Sequence, residues 1–212
     1  TLLETTPDKG MKNSYFRVFR SIALTEDGLK KLESLWNDKL KVKDLILSEE
    51  DKITLAYELV LKGKGDGQAI LDKQLSDTKN PDRKSRMKFV IPALSPDQKV
   101  RDTFFESLKK PENREHEAWV LEALGYLHHP LRAESANKYL KESLDLLQEV
   151  QLTGDIFFPQ RWLGATFSGH SDQESADIVN TFLKTNPDYP YYLKNKILQS
   201  TDLLDRAVKL KK

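Results

Sequence analysis

Apolar side chains in this chain recur every three or four residues along most of its length, and no alternating run is flanked by hairpin turns. That spacing turns one stripe of each segment toward a core and leaves the rest to water, as in helices packed on helices. Leu29, Leu32, Leu35 and Trp36 form such a stripe behind Thr25, a residue able to cap a helix. Ile53, Ala56, Tyr57 and Val60 form another behind Ser48, where Glu49, Glu50 and Asp51 place acids at the positive end of the helix dipole. Ser95-Pro96-Asp97-Gln98 predicts a further start, with Ser95 as cap, Pro96 in the first helical position and Gln98 closing a capping box. Val100, Phe104 and Leu108 then share a face. Ser171-Asp172-Gln173-Glu174 repeats the device ahead of Ser175, Ile178, Val179 and Phe182.

Between these lie a helix around Trp119, Leu124 and Leu127 and a longer one from Leu131 to about Val150. The inward stripe of the longer helix is Ala136, Tyr139, Leu140, Leu147 and Val150. Phe89-Val90-Ile91 sits within a helical pattern. Helix starts near 25, 48, 67, 82, 96, 113, 130, 157, 171 and 189, taken in pairs, approximate a repeat of roughly 35–45 residues. The fold expected is all-α, an irregular HEAT-like α-solenoid of antiparallel helix pairs over 14–212. Residues 1–13 lack periodicity, contain Pro7 and Gly10, and read as a linker from an upstream domain.

Composition narrows the function classes. Basic and acidic side chains nearly balance, 34 against 33, which argues against a nucleic-acid surface. Lys209, Lys211 and Lys212 read as a solvated helix end. With no cysteine, thiolate nucleophiles, disulfides and cysteine-based zinc sites are excluded, while cytoplasm and periplasm suit the chain equally. No apolar run approaches the roughly 18 residues that cross a bilayer, so no membrane partner is expected. The chain opens on Thr1 without an initiator methionine, which reads as a piece of something longer.

The motifs that could carry chemistry are incomplete. His116-Glu117-Ala118-Trp119-Val120 opens like a zinc-protease helix, yet that motif needs two imidazoles one turn apart, and Val120 stands where the second belongs. His128 and His129 are adjacent and point about 100° apart on a helix, and His116 lies three turns from His128, so surface or capping roles are expected of the histidines, His170 included. Gly63-Lys64-Gly65-Asp66-Gly67 joins two helices and lacks the Gly-Lys-Ser/Thr ending of a phosphate loop, which leaves a flexible turn. No Ser-His-Asp order stands out. Glu115/Glu117 and Glu49/Glu50 read as helix-surface charge, and an independent all-helical hydrolase or lyase would need acid and base groups converging in a pocket.

Two corners are less ordinary. One runs from Glu117 through Trp119 to His128-His129-Pro130-Leu131-Arg132; the other is Thr153-Gly154-Asp155-Ile156-Phe157-Phe158-Pro159, where Asp155 can cap the following helix. Both are either packing corners or parts of a peptide-facing surface.

With the stretch 113–120, His-Pro-Leu-Arg at 129–132 and 149–159, the chain resembles the C-terminal helical domain of bacterial aminopeptidase N-type zinc metallopeptidases. Ser95-Pro96-Asp97 followed by Arg101 and Phe104-Phe105, and Asn186-Pro187, fit the same pattern; the similarity spans about 13–208. The resemblance implies that zinc and the H-E-x-x-H residues belong to a separate, upstream catalytic domain of the same polypeptide. It implies no cofactor and no catalytic residue here, and a helical domain that closes over the peptide cavity. Arg114, Arg132 and Arg161 are then the candidates for meeting the tail of a peptide substrate, because guanidinium grips a carboxylate bidentately. The alternative is a free-standing helical-repeat scaffold that binds a protein or peptide in a concave groove.

Overall fold

The computed structural model describes residues 2–211 and contains thirteen α-helices and two 3-10 turns, with no strand among the described residues. Thr1 and Lys212, which end the expected linker and the expected basic terminus, lie outside the described residues. The chain divides into two compact units, one up to Pro96 and one from Asp97 onward.

The first unit holds α1 (Leu2–Thr5), α2 (Lys9–Ile22), α3 (Glu26–Trp36), α4 (Glu49–Leu61), α5 (Gly67–Asp77) and α6 (Pro81–Leu94). Helix α4 is its hub, packing against α2, α3, α5 and α6. It can face so many neighbours because it is apolar nearly all round: Ile53, Leu55, Ala56, Tyr57, Leu59, Val60 and Leu61 are buried. Thr25 and Ser48 cap α3 and α4, and Ser48 pairs with Asp51 in a reciprocal capping box. Helix α2 occupies part of the stretch read as linker, starting at Lys9 behind an Asp8 cap. Its register is fixed by Phe16 in the core and by the buried Lys12, whose ammonium donates to the Lys43 carbonyl at 2.7 Å. The turn 63–67 between α4 and α5 is what its glycines allow, with Gly63 and Gly65 at φ of 70° and 65°.

The second unit holds α7 (Gln98–Ser107), a 3-10 turn (Pro111–Arg114), α8 (Glu117–Leu127), a second 3-10 turn (Pro130–Arg132), α9 (Ala133–Asp145), α10 (Leu147–Thr153), α11 (Phe158–Phe167), α12 (Gln173–Thr185) and α13 (Tyr191–Leu210). Helix α11 is the hub here, against α8, α9, α10 and α13, while α12 lies against α9 and α13. Trp162, Phe158, Leu163 and Phe167 of α11 are buried in the centre, and the Trp162 indole N–H donates to the Ser143 carbonyl at 3.2 Å.

Several local expectations change. Ser95 is the C-cap of α6 rather than a cap for the next helix; Asp97 caps α7, accepting from the Lys99 amide at 2.8 Å. Likewise Asp172, not Ser171, caps α12, accepting from the Ser175 amide at 2.9 Å. In both strings two oxygens compete, and the backbone starts each helix where the carboxylate meets its first amides, a place that also favours negative charge. The helix expected over 131–150 is a 3-10 turn followed by α9 and α10, which meet at Leu146, where ψ flattens to −12°. Val100 is exposed and Trp119 half-buried, so α7 and α8 present slightly rotated faces to the core.

Candidate functional site

Helices α9 and α12 of the second unit leave a cleft between them. Two adjoining depressions of about 430 and 500 Å³ share Lys141, Glu174 and Ile178 in their walls. Phe182 and Ile178 supply an apolar floor, Asp177 and Glu174 line the α12 side, and Lys138 and Lys141 line the α9 side. The lysines are tethered: Lys141 pairs with Asp145 at 2.7 Å and Lys138 with Asp102 at 2.5 Å. The ammonium of Lys138, then the Tyr139 hydroxyl, hold the Asp102 carboxyl down at about 2. The cleft therefore combines an apolar floor with both signs of charge on its rims.

Behind the α12 wall lies a buried polar chain. Asn137 of α9 donates to the Glu174 carboxylate at 2.9 Å, and its carbonyl oxygen lies 3.0 Å from the Ser175 hydroxyl. Ser175 also contacts the Asp172 carboxylate at 2.8 Å and His170 Nδ1 at 3.1 Å. His170 Nε2 in turn lies 3.0 Å from His128 Nδ1. Both imidazoles are buried, at 1% exposure for His128 and 4% for His170. Two of the four histidines thus depart from the surface or capping roles expected of them. The expectation does describe His116, which is exposed and stacks on Trp119 at 4.0 Å, and His129, which accepts from the Leu131 amide at 3.2 Å.

The assembly contains serine, histidine and aspartate, but its wiring is not that of a nucleophilic triad. In a triad the acid holds the far nitrogen of the imidazole while the near one faces the serine. Here the acid bonds the serine itself, the far nitrogen faces a second imidazole, and Ser175 is fully buried. Sequence reasoning missed this chain. The visible trace was His170 directly ahead of Ser171-Asp172 and Ser175; the partner His128 lies 42 residues away.

The three arginines are placed on separate features, and none lines the α9–α12 cleft. Arg114 is 3% exposed and binds inward: to the Leu108 carbonyl at 2.5 Å, to Glu149 at 2.8 Å and to Thr153 Oγ1 at 3.3 Å. Arg132 is half-buried; burial, then the charge of Arg101, lowers its pKa to about 10. Arg161 is exposed and lies over the Phe157 ring at 5.7 Å. Arg114→Ala should therefore cost about 1.5–3 kcal/mol in chemical denaturation, the range for hydrogen bonds made by a charged group. Arg161→Ala should stay within about 1 kcal/mol.

The broken zinc motif has a structural role. Val120 is fully buried, and the Glu117 carboxylate accepts the Asp155 amide at 2.7 Å, pinning the turn into α11. Asp155 itself accepts from the amides of Phe157 and Phe158 at 2.6 and 2.9 Å, which is the capping role its position suggests. Among the described residues no group of three or more histidines, aspartates and glutamates is placed to hold a metal ion. Among the described residues no helix is long and apolar enough to cross a membrane. Comparison with models of known protein families and with curated proteins gives no match for this chain.

Proposed function

We propose that this chain is a non-catalytic helical domain of a bacterial zinc aminopeptidase, which encloses and gates the peptide cavity of a separate catalytic domain upstream in the same polypeptide. In this reading the helices continue a HEAT-like array, zinc is held by the catalytic domain, and the helical wall excludes bulk water and selects peptides. One observation carries it. The segments that bear the resemblance, 113–120 and 149–159, are far apart in sequence yet fold into a single corner, tied by Arg114 to Glu149 and by Glu117 to the Asp155 amide. A cleft of about 310 Å³ opens at that corner, and Leu152, Ile156 and Phe157 stand exposed in the same 149–159 segment.

The test has two arms. The chain alone, assayed on amino-acid anilides with and without zinc, should show no turnover above background; metal-dependent turnover overturns the reading. In the parent polypeptide, removing this domain should blunt discrimination between short and long peptides severalfold while leaving the catalytic residues intact.

A second reading, a free-standing scaffold that holds a peptide, is favoured by the α9–α12 cleft itself. A coding frame with H-E-x-x-H and a downstream glutamate ahead of this chain supports the first reading, and a short frame without them supports the second.

A further inference from the structure

We propose that the His128–His170 pair is an acid-opened latch: while neutral it holds the turn before α12 against the end of α8, and one added proton releases it. The donors and acceptors dictate where the protons sit. The Asn137 amide NH2 faces the Glu174 carboxylate, so its carbonyl faces Ser175. The Ser175 hydroxyl therefore meets two acceptors, that carbonyl and the Asp172 carboxylate, and can only accept from His170. His170 then carries its proton on Nδ1, leaving Nε2 bare to accept from His128 Nδ1–H. What remains is the His128 Nε2 lone pair, buried with no hydrogen-bond partner among the described residues.

An added proton has two routes into this pair. It adds to His128 Nε2 directly, or it adds to His170 Nε2 and forces His128 into its other tautomer. Both routes end with an N–H at His128 Nε2 that no acceptor among the described residues meets, in a site closed to bulk solvent. Burial alone pushes His128 well below the ordinary 6.5, and the neighbouring His170 adds to this. Burial also lowers His170, which the Asp172 charge partly offsets.

The groups facing the pair do not supply the missing acceptor. Tyr139 of α9 meets the His128 ring edge-on at 6.0 Å, and its hydroxyl is engaged with Asp102 and Gln98. Asp172 lies on the Ser175 side, 4.0 Å from His170 Nδ1, and Glu174 connects only through Asn137. Lys211, just past α13, reaches the Ser171 carbonyl, and Arg161, the one ionisable residue of α11, lies over Phe157.

The latch sits where two backbones touch: a Cβ on Gly169 would fall 1.8 Å from the His128 carbonyl oxygen. Its outer end is Glu174 in the cleft wall, so release frees Asn137 and that wall together. The consequence for a bound peptide rests on the cleft reading above; the latch itself does not.

Both folded values lie below 6.5, so the unfolded chain binds protons first as pH falls. Stability is complete above about 6.5 and is lost below it, by roughly tenfold in the folding equilibrium per imidazole per pH unit. Nitrogen-15 imidazole titration of the chain from pH 7.5 to 4.5, with hydrogen exchange across residues 168–172, tests this directly. Both rings should be neutral Nδ1–H tautomers at pH 6.5, and protonation should coincide with faster exchange in that turn. Either ring found protonated at pH 6.5, or protonated later with exchange unchanged, overturns the proposal. In urea denaturation at pH 7.5 and 5.0, the wild type should lose at least tenfold more stability than His170→Gln. Equal pH dependence overturns it, and if that variant does not fold, the wild-type titration decides alone.

Discussion

Replacing Gly169 with alanine should destabilise the protein by about 3 kcal/mol or more, at the upper end for overpacking a closed site. The added methyl would lie 1.8 Å from the His128 carbonyl oxygen, 2.9 Å from its carbon and 3.2 Å from the carbonyl carbon of His129. All three are backbone atoms, so no rotamer change relieves the clash, and the α8 end must part from the turn before α12. A urea titration followed by circular dichroism reads the effect as a lower midpoint. Gly125→Ala is the control. It sits within α8 with nothing within 4 Å of its added carbon, and it should stabilise by about 0.5–1 kcal/mol through helix propensity and unfolded-state entropy. If both variants behave alike, the close approach at Gly169 is wrong.

Trp162→Ala should cost about 3–5 kcal/mol, the range for emptying a buried aromatic site. The ring is fully buried at the hub of the second unit, edge-on to Phe158 with centroids 6.0 Å apart. Its N–H satisfies the Ser143 carbonyl, so truncation leaves both a cavity and an unmet acceptor. Trp162→Phe keeps most of the volume and should cost clearly less. Denaturation of the two variants side by side separates packing from the hydrogen bond, and a small, equal loss in both would remove Trp162 from the core.

Much of the secondary structure was legible because helix periodicity and capping are local. The stripes Leu29, Leu32, Leu35, Trp36 and Ala136, Tyr139, Leu140, Leu147, Val150 are buried as their spacing demanded. Thr25 and Ser48 cap the helices they precede. Local chemistry failed where it offered two answers or a non-local one. Ser95 and Asp97, or Ser171 and Asp172, can each cap a helix, and the choice depends on where the backbone leaves the preceding element. Helix α2 was invisible because what anchors it, the Lys43 carbonyl under Lys12, lies 31 residues away.

The candidate site was legible in fragments only. Asp155 announced its capping role, and Val120 announced a broken metal motif. Arg114 looked free to grip a carboxylate, whereas the fold commits it to Leu108, Glu149 and Thr153.

From the residues alone came the helices, several of their caps, and the lack of a complete catalytic motif, because each rests on neighbours within about four positions. Tertiary structure alone brought His128 to His170 and Asn137 to Ser175, across separations of 42 and 38 residues. Which imidazole meets which, and whether water reaches it, is settled by how whole helices pack, and spacing along a chain carries no record of that.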